Sequence, residues 1–178
     1  MIEKTSAEYQ AVISTCKTLF EKKTRDYGTA WRILRLPSIT DQIFIKAQRI
    51  RSIQEKGVQK VDDPIRDEFI GIINYCIIAL IQIKLETSTD LDLKFEALES
   101  YYVEAVTETF NLLQNKNHDY NEAWRDMRIT SITDIILMKL LRVKQIEDNQ
   151  GKTVVSEGVK ANYQDMINYA VFAMILMK

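Results

Sequence analysis

The chain is written twice. Residues 23–56 align without a gap on residues 116–149 at a shift of 93, and 15 of the 34 positions are identical, where chance would give about 2. The kept residues include Lys23/Lys116, Asp26/Asp119, Tyr27/Tyr120, Ala30/Ala123, Trp31/Trp124, Arg32/Arg125 and Arg35/Arg128. The block Ser38 to Asp41 then repeats as Ser131 to Asp134, followed by Ile43/Ile136, Lys46/Lys139, Arg49/Arg142 and Ile53/Ile146. One inserted residue moves the shift to 94, and Asn74-Tyr75 meets Asn168-Tyr169. The fold must therefore be one unit used twice, over 1–89 and 90–178. Positions kept in both copies are held by folding or by function.

The unit reads as three helices. With 5 Gly and 2 Pro, 46% apolar and 28% charged residues, the chain is neither disordered nor a turn-rich β protein. Tyr9, Val12, Ile13, Cys16, Leu19 and Phe20 follow an i, i+3, i+4 pattern and predict a first helix from about Ser6 to Arg25. Gly28, and Asn121 in the second copy, suit a left-handed C-terminal cap. Thr40 and Thr133 read as N-caps of second helices that reach Lys56 and Asn149 and close at Gly57 and Gly151. Asp63-Pro64 and Ser156 open the third helices, and Thr87 to Asp92 join the copies. The apolar runs 70–83 and 166–177 are too broad for one copy to bury, so the copies should share one core as an all-α pseudo-twofold bundle with the third helices central. The run YAVFAMILM is apolar almost all round and suggests further pairing into a homo-oligomer.

Several function classes fall away. Lys plus Arg number 24 against 25 Asp plus Glu, so no global basic field recruits nucleic acid or a membrane. The halves differ, residues 1–89 carrying +3 and residues 90–178 carrying −4, which suits packing against each other. The apolar runs fall short of a membrane span of about 20 residues. Cys16 and Cys76 fit no disulfide or zinc framework, and MIEKTSAEYQ has no apolar signal core. A cytoplasmic protein is expected.

The kept polar residues form stripes. Lys46 and Arg49, with Lys139 and Arg142, share a face with retained apolar residues; they either snorkel from the core or form an anion site. On the third helix Asp63, Asp67, Gly71 and Asn74 lie near one face, matched by Glu157, Ala161, Asp165 and Asn168. Such carboxylates either favour the helix dipole or bind a hard cation such as Mg²⁺. Lys23, Arg32, Lys116 and Arg125 lie close in sequence to Trp31 and Trp124, so an indole platform for a base beside guanidinium forks competes with a plain core anchor. His118 has no counterpart. No Gly-rich phosphate loop, nucleophile elbow or Cys/His metal spacing is present. Chemistry, if any, is metal-assisted attack of water on a phosphoryl group.

Lys-x-x-Asp-Tyr-Gly, Lys-x-x-Arg, an acidic residue followed by Asp, and Asn-Tyr resemble the nucleotide modification associated domain 1 family, a helical family, in two copies over nearly the whole chain. The resemblance implies a nucleotide-related role. The pattern is also distantly similar to MazG-type all-α nucleoside triphosphate pyrophosphohydrolases, which hold Mg²⁺ with Glu-x-x-Glu and Glu-x-x-Asp pairs. Here Glu68 has Gly71 at the partner position, Asp165 has Asn162, and no clean Glu-x-x-Glu occurs. Either the sites have decayed or Asp67 and Glu68 complete one site with Glu157 and Asp165.

The leading expectation is a nucleotide-phosphate-binding protein, with Mg²⁺-dependent pyrophosphohydrolase activity as its catalytic form. Lys23, Arg32, Lys46, Arg49, Lys116, Arg125, Lys139 and Arg142 would contact phosphate. Asp63, Asp67, Glu68, Glu157 and Asp165 would hold the metal, with Glu68 and Asp165 catalytic and Trp31 and Trp124 stacking on the base. The alternative is a noncatalytic interaction module in which these groups pair with one another and no cavity remains. Near-neutral charge argues against a third option, single-stranded nucleic acid.

Overall fold

The computed structural model describes residues 2–57 and 64–178. Asp63, expected to open the third helix and to ligate metal, lies outside them. The described residues form six helices, α1 (Ile2–Tyr27), α2 (Leu36–Lys56), α3 (Pro64–Lys84), α4 (Phe95–Tyr120), α5 (Ile129–Asp148) and α6 (Val159–Leu176), with 3-10 turns at Ala30–Ile33 and Ala123–Asp126. No described helix is long and apolar enough to cross a membrane.

Gly28 ends α1 at φ +62 and Asn121 ends α4 at φ +51, as the sequence indicates. Each N–H returns to the carbonyl four residues back, Thr24 or Asn117. The second helices start one turn earlier than expected. Arg35 and Arg128 take the N-cap positions, and Thr40 and Thr133 instead bond back to the Leu36 and Ile129 carbonyls inside the helix. The threonines were kept for tertiary bonds rather than caps. Ser156 does not open the last helix, because α6 begins at Val159 after Gly158.

The packing repeats across a pseudo-twofold. α2 lies on α3 as α5 lies on α6; α1 and α4 each touch both α3 and α6; α3–α6 and α2–α5 pair across the repeats. One apolar core includes Ile43, Ile73 and Ile77 of the first repeat and Leu140, Ile167 and Val171 of the second. Ala170 to Ile175 are buried within this chain, so the apolar C-terminal run needs no partner to cover it. Both cysteines are buried, and burial pushes the Cys16 thiol up to about 12.

Buried amides tie the layers together. Asn74 of α3 donates to the Cys16 carbonyl of α1 at 3.0 Å and accepts from the Tyr102 hydroxyl of α4 at 2.9 Å. Its counterpart Asn168 of α6 donates to the Thr109 carbonyl of α4 at 3.2 Å and accepts from the Tyr9 hydroxyl of α1 at 2.8 Å. A second pair sits where α2 crosses α5: Gln54 donates to Thr133 at 3.1 Å, and Thr40 shares its one proton between the Leu36 carbonyl and Glu147, 3.3 Å away, beside the Tyr163 hydroxyl.

Tyr9→Phe leaves the buried Asn168 oxygen without its donor and should cost about 1–3 kcal/mol in urea unfolding. A second expectation concerns pH. Burial, with the nearby charges of Asp41 and Asp148, raises the Glu147 carboxyl above its ordinary value despite Thr40 and Lys144. Its folded-state pKa therefore exceeds the unfolded one, so the ionised group opposes folding at neutral pH and the penalty fades as pH falls through the folded value. Glu147→Gln, which copies Gln54, should raise the melting temperature at pH 7 and lose that advantage below about pH 4.

Candidate functional site

In the first repeat the end of α1, the first 3-10 turn, α2 and α3 enclose a cleft of about 740 Å³. Its walls include residues that the duplication kept, Lys23, Tyr27, Trp31, Lys46, Asn74 and Tyr75, together with the unmatched Asp67, Glu68, Gly71 and Ile78. Trp31 is half-buried, while Tyr27 stands 71% exposed at the rim. Asn74 borders the cleft, but its amide is already spent on Cys16 and Tyr102. Its function there is to fix the wall.

The charges are unevenly satisfied. Glu68 is buried and takes Arg49 at 2.8 Å and Lys46 more loosely at 3.7 Å. The Lys46 ammonium also lies 5.7 Å from the Tyr75 ring centre. Lys23, at the end of α1, has no ion-pair partner among the described residues. Asp67 is exposed on the cleft wall.

The second repeat has the same groups and a different arrangement. Asp165 stands at the position of Gly71, with Lys116 at 2.8 Å on Oδ1 and Lys139 at 2.9 Å on Oδ2. These lysines correspond to Lys23 and Lys46. Burial alone would lower the Lys116 pKa, but the hydrogen bond and charge of Asp165, with Glu157 and Tyr169, hold it above the ordinary lysine value. Phe172 replaces Ile78 and stacks on Trp124 at 4.2 Å with planes 5° apart. Trp124 is consequently buried, its Nε1 has no hydrogen-bond partner among the described residues, and Arg125 covers its ring at 4.5 Å.

The expected base platform at Trp124 is thus corrected to a core anchor. Arg32 and Arg125 are corrected as well. Arg32 is buried and donates to the Asp90 and Ser88 carbonyls at 2.9 and 3.0 Å and to the Gln82 side chain. It clamps the segment between the repeats. Arg125 binds Glu8 at 2.8 Å and Glu122 at 3.1 Å, fastening the start of α1 to the second 3-10 turn. Both copies kept the arginine because each turn must hold the segment that leads into the other repeat.

The acidic set does not assemble. Glu68 faces Arg49 and Lys46 of its own repeat, and Asp165 faces Lys116 and Lys139 of its own. Each third helix turns its carboxylate toward its own repeat's cations, so the composite site expected from Asp67, Glu68, Glu157 and Asp165 is not formed. Among the described residues no group of three or more His, Cys, Asp or Glu side chains could hold a metal ion. Among the described residues the expected donors thus do not gather into a Mg²⁺ cage, and Asp63 lies outside them. Glu157 and Arg142 line, with Lys139, a second groove of about 1070 Å³ between α5 and the segment leading to α6.

A family model, Nucleotide modification associated domain 1, matches residues 23–83 and 116–177. The chain belongs to this family. The two matched segments are the two repeats, and each runs from the first lysine of the site, Lys23 or Lys116, through the third helix. No curated protein and no solved structure matches the chain. Within this family domain the signals missed in the sequence were differences rather than identities. Gly71 against Asp165 and Ile78 against Phe172 decide which copy is open.

The two tryptophans should consequently separate by role. Trp124→Ala should cost about 3–5 kcal/mol in urea unfolding, as for a buried aromatic. Trp31→Ala, at the half-buried position, should cost clearly less in the same measurement.

Proposed function

We propose that the first repeat binds a nucleotide-like phosphate ester in its cleft, and that the second repeat has become a structural copy. The observation that carries this reading is the cleft of about 740 Å³, a size usual for small-molecule sites, which holds the kept Lys23, Trp31 and Lys46, with Lys23 lacking an ion-pair partner among the described residues. Two lysines supply point charges for phosphate oxygens, and Trp31 and Tyr27 supply aromatic surface for a base. The family description agrees with this chemistry class.

For the second repeat, the paired Lys116–Asp165–Lys139 group and the stacked Trp124 support the noncatalytic reading. Binding, rather than metal-assisted hydrolysis, is the activity that the first repeat supports. Of the two carboxylates lining its cleft, Glu68 is engaged by Arg49 and Lys46, leaving Asp67 alone among the described residues. The described lining of the cleft offers no second free carboxylate to activate water beside a metal held there.

Melting temperature against nucleoside mono-, di- and triphosphates, with and without Mg²⁺ and with pyrophosphate release read in the same wells, tests the reading. A selective rise that persists without Mg²⁺ is expected. Lys23→Ala should weaken the responsible compound about tenfold or more, the loss of one charge-assisted bond. Pyrophosphate release that requires Mg²⁺ would replace the binding reading with the pyrophosphohydrolase one. A flat panel would sink both and leave an interaction module.

A further inference from the structure

We infer that Asp165 is a built-in substitute for the anionic group of the ligand, so that in the first repeat a phosphate group sits between Lys23 and Lys46 against Gly71. The inference rests on the nucleotide reading of the first cleft and gives it an anion subsite.

The second repeat displays the geometry. One oxyanion takes two ammonium groups, each on its own oxygen, from the end of α4 and the middle of α5. Lys139 is only 12% exposed and Asp165 14%. A lysine that sheltered needs a counter-anion, since a partly desolvated ammonium without one is costly. The chain supplies it in the second repeat from α6. In the first repeat the equivalent lysines are present and the equivalent carboxylate is absent, Gly71 standing in its place.

The carboxylate has moved by one turn. Glu68 in the first repeat corresponds to Asn162 in the second, whose amide bonds the Gly158 carbonyl at 3.0 Å. From position 68 the acid reaches Arg49 and, loosely, Lys46, but has no bond to Lys23. The bare face of Gly71 is instead crossed by the Lys46 stem, whose Cδ and Cε would lie 2.8 Å from a Cβ built at Gly71. That stem is the far end of a flexible side chain. When an oxyanion arrives, Lys46 can leave its 3.7 Å contact with Glu68 and take the pose that Lys139 already holds. Trp31, free of the Phe172 that covers Trp124, is left to the aromatic part of the ligand.

Two substitutions exchange the features. Gly71 lies within α3 and the three atoms nearest an added Cβ all belong to the movable Lys46 end, so Gly71→Asp should fold. It should place a carboxylate between Lys23 and Lys46, recreating the triad of the second repeat, and weaken the nucleotide found by the melting panel about tenfold or more, with the melting temperature of the free protein kept or raised. Asp165→Ala keeps helix propensity and removes the internal anion. In ¹⁵N-lysine NMR, inorganic phosphate should then shift the Lys116 and Lys139 Nζ signals, which stay silent in the parent protein. Asp165→Asn, which preserves size and one of the two acceptor oxygens, serves the same titration if the alanine variant does not fold. Parent-like nucleotide affinity in folded Gly71→Asp overturns the inference, as does silence of both lysines in the folded Asp165 variant. A parent protein that binds no nucleotide overturns the preceding reading alone, because the phosphate titration of the Asp165 variant uses no nucleotide and still tests whether that carboxylate stands on an anion subsite.

Discussion

Two buried asparagine side chains hold the molecule in register. A buried amide is costly unless its donor and acceptor are both met, and Asn74 and Asn168 each meet theirs on two different helices. The donor goes to the first helix of the same repeat, and the acceptor takes a tyrosine from the first helix of the other. Neither repeat can satisfy its own asparagine alone. Burial raises both phenols, Tyr9 and Tyr102, well above their ordinary values, so they remain hydroxyl donors at any physiological pH. The apolar faces of α3 and α6 supply cohesion without direction; the asparagines supply the direction. Because Asn74 also borders the open cleft, the same bond that locks α1 to α3 fixes the distance between Lys23 on one helix and Gly71 on the other.

This dependence explains which parts of the fold could be read from the sequence. Helix number, the left-handed caps at Gly28 and Asn121, and the shared core follow from local pattern and from the duplication, which are properties of a chain segment. Thr40 and Thr133 misled because a kept threonine near a helix start has the chemistry of a cap. Its partners, Glu147 with Tyr163 and Gln54, come from the other repeat and leave no local trace. Arg32 and Arg125 misled for a related reason. Identity in both copies was taken to mean shared chemistry at a ligand, yet the first binds backbone carbonyls and the second carboxylates. What the copies share there is a mechanical duty, holding the entry segment of the opposite repeat.

The site itself was half legible. Lys23, Lys46 and Trp31 were marked by their repetition, and the structure gathers them on one cleft. Repetition could not say that their counterparts Lys116, Lys139 and Trp124 form an ion-paired and stacked cluster. The decision lies in two unmatched positions, 71 against 165 and 78 against 172, and an unmatched position carries no signal until its neighbours in space are known. The Glu68 to Asp165 exchange adds to this, since a carboxylate displaced by one helical turn keeps its face and changes its partner.

A duplicated site that keeps its cations must neutralise them in every copy, by solvent, by ligand or by the chain. Solvent suffices for Lys23, which is exposed, but less well for Lys139, of which only 12% is accessible. A repeat whose carboxylate takes both lysines is therefore complete within the chain, whereas in the first repeat Glu68 takes only Lys46 and leaves Lys23 to solvent or, on the proposed reading, to an anion. The asymmetry in charge pairing sits on a structure whose helix order and pairing repeat. The closed copy helps to hold the shared core and the asparagine lock, and that standing support lets the open copy keep a loosely paired lysine beside a glycine, an arrangement that a single unsupported three-helix unit would have to stabilise by itself.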